Sequence, residues 1–183
     1  MPNKHAWRYR LPWVAGLVAI VGAAWGVFPW LATAPASATR AELVRRDGVM
    51  FRPEATQPFS GLLVEEWRPG VRRTEVTLRD GRADGRSRGW HENGRLEVEE
   101  TFAHGVSHGI RTRWYADGTR KSQVKIRAGR LVGTFREWHP NGQLARETPL
   151  DAGVGHGRVR AWDAEGHSAG VAIVEHGTLL RRE

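Results

Sequence analysis

The chain has 183 residues, with 22 glycines, nine tryptophans, no cysteine and a net charge of +8. Its 40% hydrophobic content argues against a disordered chain, and the lack of cysteine excludes disulfides, thiolate metal sites and a cysteine nucleophile. The 25 Lys and Arg residues after position 39 are interleaved with 20 acidic residues, which favours a solvated mixed surface, with no nucleic acid expected as a partner.

The first 39 residues predict a segment that enters a membrane. Residues 1–10 form a basic region expected in the cytoplasm, and no formal charge occurs from Leu11 to Thr39. The apolar run at 11–34 is long enough to span a bilayer as a helix, and the positive charges before it direct the rest of the chain out of the cytoplasm. We expect a single-pass inner-membrane anchor with the remaining domain in the periplasm or outside the cell.

A cleaved secretory signal is the alternative for the same segment. Ala36, Ser37 and Ala38 have the small-x-small pattern of a cleavage site, which would place cleavage after Ala38 in a linker at 35–42. The apolar run is longer than a typical signal core and contains tryptophan, which favours the anchor. Both alternatives export residues 40–183, and the cleaved form would be periplasmic or secreted.

Glycine recurs every 24 residues after this segment, which accounts for most of the glycine excess. The period divides residues 61–183 into five repeats, preceded by a capping segment at 43–60. Such regular repeats indicate identical modules stacked in one direction. The repeats are 61–84, 85–108, 109–132, 133–156 and 157–183. The three glycine columns are Gly61, Gly85, Gly109, Gly133 and Gly157; Gly70, Gly94, Gly118, Gly142 and Gly166; and Gly81, Gly105, Gly129, Gly153 and Gly177.

The residues around the second and third columns predict β-hairpins. Asn93-Gly94 and Asn141-Gly142 are typical of type I′ turns, the following runs alternate apolar and polar residues, and the third column connects one repeat to the next. The fold class is therefore all-β: an elongated, single-layer antiparallel meander of about five hairpin repeats behind one N-terminal transmembrane helix or signal peptide. We expect Gly118→Val to be far more damaging than Gly89→Ala, since Gly89 lies off the grid.

A tryptophan lies five residues after the first glycine in four repeats. Because neighbouring repeats are two strands apart, these indoles should recur about every 10 Å across the sheet. They are expected either to pack between hairpins or to form a row of aromatic platforms for a glycan or a partner chain. This Trp ladder consists of Trp90, Trp114, Trp138 and Trp162, with Trp67 displaced by one position in the first repeat.

The spacing of the histidines does not predict a metal site or an acid–base pair. His91 and His139 lie two repeats apart, as do His108 and His156, and this corresponds to about 19 Å along a straight sheet. Metal ligands must converge within a few Å, and His104 with His108 only flanks a turn. We therefore expect no catalytic residues, no metal, no cofactor and no enzymatic activity.

The combined pattern resembles the bacterial variant of MORN repeats, which includes antitoxins of the YwqK type. The residues that carry the likeness are Arg46-Asp47-Gly48-Val49, Pro58-Phe59-Ser60-Gly61 and the unit from Gly85 to Glu97. The resemblance covers about residues 43–183 and implies successive β-hairpins in a twisted sheet. It also implies protein interaction, scaffolding or lipid association. We expect a scaffold that binds a protein partner, in an antitoxin-like or immunity-like role; the alternative, based on the Arg residues and the Trp ladder, is a module that binds anionic lipid or cell-envelope glycan.

Overall fold

The computed structural model describes residues 36–183, so the predicted segment at 11–34 lies outside the described residues. Within 36–183, no helix is both long and apolar enough to cross a membrane. The described part is almost entirely β-structure, with one 3₁₀ turn at Arg40–Glu42. The strands are β1 Ser37–Thr39, β2 Val44–Arg46, β3 Val49–Phe51, β4 Gly61–Arg68, β5 Val71–Arg79, β6 Arg82–Trp90, β7 Leu96–Ala103, β8 Val106–Trp114, β9 Arg120–Arg127, β10 Arg130–Trp138, β11 Leu144–Asp151, β12 Val154–Gly155, β13 Gly157–Trp162, β14 Ser168–Glu175 and β15 Thr178–Arg182.

The long sheet is an antiparallel meander from β4 to β15, with the short β12 paired to β11 beside β13. The predicted all-β meander is therefore confirmed. Two additions at its start were not expected: β1 pairs in parallel with β4, and β2 and β3 form a separate two-stranded sheet. By pairing with β4, β1 covers the edge that the first repeat would otherwise expose.

The tight two-residue turns lie at the third glycine column. His104 and Gly105 both have positive φ, and the flanking residues Ala103 and Val106 are paired directly, as in a type I′ turn. The same conformation recurs at the equivalent turns, where the residue before glycine has φ of 47° to 49°. These residues are Asp80, His104, Ala128, Ala152 and His176.

The second glycine column closes a longer loop, so the type I′ assignment to Asn93-Gly94 and its equivalents was wrong. The His91 N–H donates to the Arg95 carbonyl (2.8 Å) and the Gly94 N–H donates to the His91 carbonyl (2.9 Å). Gly94 has positive φ but Asn93 does not, which is the pattern of a type I turn followed by a left-handed glycine. The Asn93 Oδ1 accepts the Arg95 N–H at 3.0 Å, and this bond holds the turn.

The first glycine column lies within strands or at their first residue, opposite an apolar residue of the next strand. Each of these glycines has positive φ, and shifts of register show that the strands bulge beside Gly85, Gly109 and Gly133. The glycine column therefore bends the sheet beside its main apolar column. The pairs are Gly61 with Leu78, Gly85 with Phe102, Gly109 with Ile126, Gly133 with Leu150 and Gly157 with Val174.

Gly89, which lies off the grid, is also a packing position. A Cβ at Gly89 would lie 2.9 Å from Cγ1 of Val98, whereas a Cβ at Gly118 would meet no atom closer than 3.9 Å. The two glycines are thus needed for different reasons, Gly118 for its positive φ and Gly89 for space. Gly89 therefore also restricts substitution, although it lies off the grid, and its position there does not by itself justify ranking Gly118→Val far above Gly89→Ala.

The main hydrophobic core lies at the N-terminal end of the sheet. Ala38, Leu43, Met50 and Phe59 bury against Leu78 of the first repeat. Residues 36–42, part of the linker expected at 35–42, contribute β1 and the 3₁₀ turn, and Ala38 is only 3% exposed as part of this core.

Candidate binding surface

The tryptophans of the Trp ladder end strands β6, β8, β10 and β13, and all four are half-buried. In residues 36–183, none of these indoles stacks on another, as their separation by two strands requires. Each ring therefore packs through part of its surface and leaves the remainder accessible.

Trp67 belongs to a different column, which links neighbouring repeats, and is not a displaced member of the ladder. Its Nε1 donates to the carbonyl of Trp90 at 2.9 Å. In the next repeats, His91 Nε2 lies 3.0 Å from the carbonyl of Trp114 and the Tyr115 hydroxyl donates to that of Trp138 at 2.8 Å. Residues Trp67, His91, Tyr115 and His139 are 24 apart, so the grid could have revealed this column. Sequence reasoning missed it because the column contains three residue types, Trp, His and Tyr, which share only a hydrogen-bond donor on an aromatic side chain.

A hollow of about 270 Å³ lies beside two neighbouring members of the ladder, Trp138 and Trp162. Tyr115 and Lys121 also line it. The Arg120 guanidinium lies 5.1 Å from the centre of the Trp138 ring, and the Lys121 ammonium lies 5.4 Å from that of Tyr115. This part of the ladder therefore combines aromatic surfaces with positive charge.

Positive charge is concentrated in the third repeat, contrary to the expected even mixture. Residues 109–132 contain seven basic residues and one acidic residue, whereas 85–108 and 133–156 each have one more acidic than basic residue. The third repeat thus carries a net charge of +6, enough to account for the whole excess of five positive charges after position 39. Its charged residues are Arg111, Arg113, Asp117, Arg120, Lys121, Lys125, Arg127 and Arg130.

Strand β9 places three of these cations on one face and the apolar residues on the other. Val124 and Ile126 are 5% and 2% exposed, while Lys121, Lys125 and Arg127 alternate with them and are exposed. Successive side chains of a strand point to opposite faces. The cations therefore lie on the outward face of β9.

Neighbouring strands extend this outward face. Lys125 is directly opposite Ile110 of β8 and Val132 of β10, and Arg127 is opposite Arg130; such pairs share a face. Ile110 is 55% exposed, and a hollow of about 230 Å³ lies beside it. We define the basic patch as Lys121, Lys125, Arg127 and Arg130 around Ile110.

The cations of the basic patch form no ion pairs within residues 36–183, unlike several arginines nearby. Arg111 pairs with Glu100 at 2.7 Å, and Arg136 pairs with Glu147 at 2.8 Å. The patch is therefore available to anionic groups from outside the sheet.

Two exposed turn carboxylates have lowered pKa values for structural reasons. The Thr119 N–H donates to Oδ1 of Asp117 at 2.8 Å, and this bond is the main cause of the lowered pKa of Asp117, with the charge of Arg95 adding a smaller effect. The His167 N–H donates to Asp163 in the same way and lowers the pKa of Asp163. Both carboxylates serve to close turns.

Three potential metal ligands, Asp151, His156 and His176, come together in the structure. One ligand atom from each lies within 4.8 Å of the other two. The distances predicted from the sequence were between histidines of the same column. His156 and His176 belong to different columns, which the hairpin places side by side. The sequence could have revealed this cluster if histidines of different columns had been compared.

Two segments of the chain match the MORN repeat variant family, residues 83–104 and 131–151. Their first residues are 48 positions apart, which equals two of the 24-residue periods, and each segment contains most of one hairpin. No curated protein matches the chain. The match supports the MORN-type nature of the repeats.

Proposed function

We propose that residues 36–183 act as a non-catalytic binding module and that an acidic protein docks on the basic patch. The observation that carries the proposal is the net charge of +6 on the third repeat, between two repeats of −1 each. The cations of the basic patch are exposed, form no ion pairs within residues 36–183, and lie on the same face as the exposed Ile110. An acidic surface with a small apolar contact complements such a patch in charge and in hydrophobicity.

The limited extent of the basic patch favours a protein partner over a membrane surface. Glu99 and Glu147 lie on the same outward face as the basic patch. Directly opposite residues share a face, and Gln123 lies on the outward face of β9, two residues before Lys125. The pairs that connect it to the two carboxylates are Gln123–Thr112, Thr112–Glu99, Gln123–Arg136 and Arg136–Glu147. An anionic bilayer presents an extended negative surface that would also approach these carboxylates. A discrete acidic region on a protein can contact the cations alone.

The test compares the full chain with Lys125→Glu/Arg127→Glu by crosslinking in the cells that produce it, followed by mass spectrometry. We expect one protein with an acidic surface to be crosslinked to the unmodified chain and to be recovered at least about tenfold less with the variant. Once identified and purified, that protein should bind the full chain more weakly as salt is raised, because exposed charges are screened.

The matched control is Arg45→Glu/Arg182→Glu, which changes the net charge equally at exposed positions outside the basic patch. Equal recovery of every partner with the two double variants would contradict the proposal. Binding to phosphatidylglycerol vesicles that depends on the basic patch, without such a protein, would instead support the lipid-binding alternative.

A cell-envelope glycan is a second candidate ligand, favoured by the hollow beside Trp138 and Trp162. Indole faces stack on sugar rings, and the nearby Arg120 and Lys121 suit acidic sugars. Sedimentation of the full chain with purified cell wall tests this directly. Trp138→Ala should then reduce retention, and retention unchanged by this substitution would exclude the hollow as the glycan site.

We also propose that residues 11–34 hold this module at the inner membrane, on the side away from the cytoplasm. The sequence supports this through the charge-free apolar run and the basic residues before it. Cleavage after Ala38 would remove a side chain of the core, which favours the uncleaved form. The mass of the mature N-terminus tests the tether.

An immunity-like or antitoxin-like role is one form of the docking proposal, in which the acidic partner is a toxin.

A further inference from the structure

We propose that Asp151, His156 and His176 form a binding site for a divalent transition metal ion of the Zn²⁺ class. Asp151 ends β11, His156 lies between β12 and β13, and His176 begins the turn between β14 and β15. One ligand atom of each lies within 4.8 Å of the others, and the two imidazole rings are 5.1 Å apart at 61°. Two imidazoles and one carboxylate are a ligand set that zinc and related ions prefer.

The backbone fixes the three residues near one another. Asp151 is directly opposite Val154, two residues before His156, and the His156 N–H donates to the carbonyl of Pro149 at 2.9 Å. The turn that carries His176 is attached beside them, because the Gly177 N–H donates to the carbonyl of Gly155 at 2.8 Å. The site therefore joins the fourth and fifth repeats.

The ring of His156 has a buried polar atom that lacks a partner. Its Nδ1 is shielded from solvent and forms no hydrogen bond within the described residues, and Asp151 forms no ion pair with either ring among residues 36–183. Buried polar atoms are almost always satisfied in folded proteins. A bound metal ion would take this ring and the Asp151 carboxylate as two of its ligands.

The side-chain movement that would bring the three ligand atoms onto one metal ion is small. Ligand atoms on a tetrahedral Zn²⁺ are about 3.4 Å apart, given metal–ligand distances near 2.1 Å. Asp151 and His176 are exposed, so rotation of their side chains can close the difference from 4.8 Å. Three protein ligands leave at least one coordination position to solvent.

The equivalent positions at the junction of the first and second repeats carry a different set of side chains. They are Arg79, Asp84 and His104, and there Asp84 contacts both of the other side chains: Arg79 Nη1 lies 3.9 Å from its Oδ1 and His104 Nδ1 lies 3.3 Å from its Oδ2. At the later site, aspartate replaces the arginine and histidine replaces the aspartate. The chain thus no longer supplies a fixed cation there, and all three side chains are metal ligands in type.

The experiment titrates Zn²⁺ into the untagged full chain in detergent, by calorimetry and by thermal unfolding. We expect one Zn²⁺ per chain and a Tm that rises with zinc concentration, since the ion binds the folded state. His176→Ala should lower the affinity at least about tenfold and abolish the rise in Tm. Alanine is compatible with the backbone conformation at this turn position, because Ala128 and Ala152 have a φ of 49° at the equivalent positions of other repeats.

The matched control is His104→Ala, in the same column and turn type but outside the proposed site, and it should bind zinc like the unmodified chain. His156→Val, which copies Val132 of the third repeat, provides a second loss variant. The proposal is overturned if the unmodified chain binds no zinc stoichiometrically, if His176→Ala and His156→Val keep full affinity, or if His104→Ala loses as much as they do.

Discussion

At the residue scale, a glycine of one column can have two different functions in two repeats. Gly81 and Gly105 occupy the same turn position with φ of 70° and 84°. A Cβ at Gly81 would lie 2.6 Å from the carbonyl oxygen of Met50, whereas at Gly105 the closest atom is the Cβ of Arg82 at 3.8 Å. The difference arises because residues 36–60 pack directly on the first repeat.

Gly81→Ala should therefore destabilise the protein much more than Gly105→Ala. Gly105→Ala adds only the cost of a left-handed alanine, about 1–2 kcal/mol, while Gly81→Ala must also displace the Val49 side chain and the backbone of Met50, whose side chain is part of the core. Urea unfolding of the full chain in detergent measures both losses. Equal losses would show that packing of residues 36–60 on Gly81 contributes little to stability.

At the element scale, the loops of the second glycine column are closed by a side-chain oxygen. Asn93, Asp117 and Asn141 all accept the backbone N–H two residues later, at 2.8 to 3.1 Å. Asn93 also donates its amide to the carbonyl of Ala116 in the next repeat at 2.7 Å. Aspartate can make the first of these bonds but has no amide for the second.

Asp117→Asn should make the protein less sensitive to acid. The lowered pKa of Asp117 in the folded state means that its contribution is complete above the ordinary value of 3.8 and is lost as the pH falls through the lower, folded value. We expect similar Tm values at pH 7 and a smaller loss of Tm for the variant between pH 5 and pH 3. Asp117→Ala, which lacks the acceptor, should already lose Tm at pH 7; parallel acid curves for Asp117→Asn and the unmodified chain would contradict this assignment.

The bond between Tyr115 and the carbonyl of Trp138 gives a test of the column that joins the repeats. Tyr115→Phe removes the donor and should cost about 0.5–1.5 kcal/mol of the free energy of unfolding. Tyr115→His should recover much of this, because His91 and His139 contact the equivalent carbonyls at 3.0 and 2.8 Å. Urea unfolding that finds the two variants equally destabilised would argue against this role.

The same elements show how far the sequence alone can be taken. The 24-residue grid predicts the meander and its hairpins, since turn glycines and alternating residues are local signals. It assigned the type I′ turns to the wrong column, because all the third-column turns except Asp80-Gly81 have histidine or alanine before the glycine, residue types with no strong turn preference. These residues adopt positive φ through the pairing of the flanking strands. The metal ligands were missed for a related reason: Asp151, His156 and His176 are brought together by register between columns.

At the scale of the described domain, the two ends of the sheet are stabilised unequally. The first repeat is covered by β1 and by a core of five buried side chains. At the other end, β15 pairs only with β14, all five of its residues are exposed, and its register shifts between Ile173 and Val174. In a stacked array each repeat depends mainly on its neighbours.

Hydrogen exchange should therefore be graded along the sheet. We expect amides of β15 to exchange at least about tenfold faster than those of β9, which is paired on both sides and contains the buried Val124 and Ile126. Mass spectrometry on peptides from the full chain in detergent measures this without any substitution. Strand β4 serves as the internal control, since it also lies near an end but has β1 beside it and should exchange slowly. Uniform protection from β4 to β15 would mean that the sheet opens as one cooperative unit and that the covered first repeat adds no local stability.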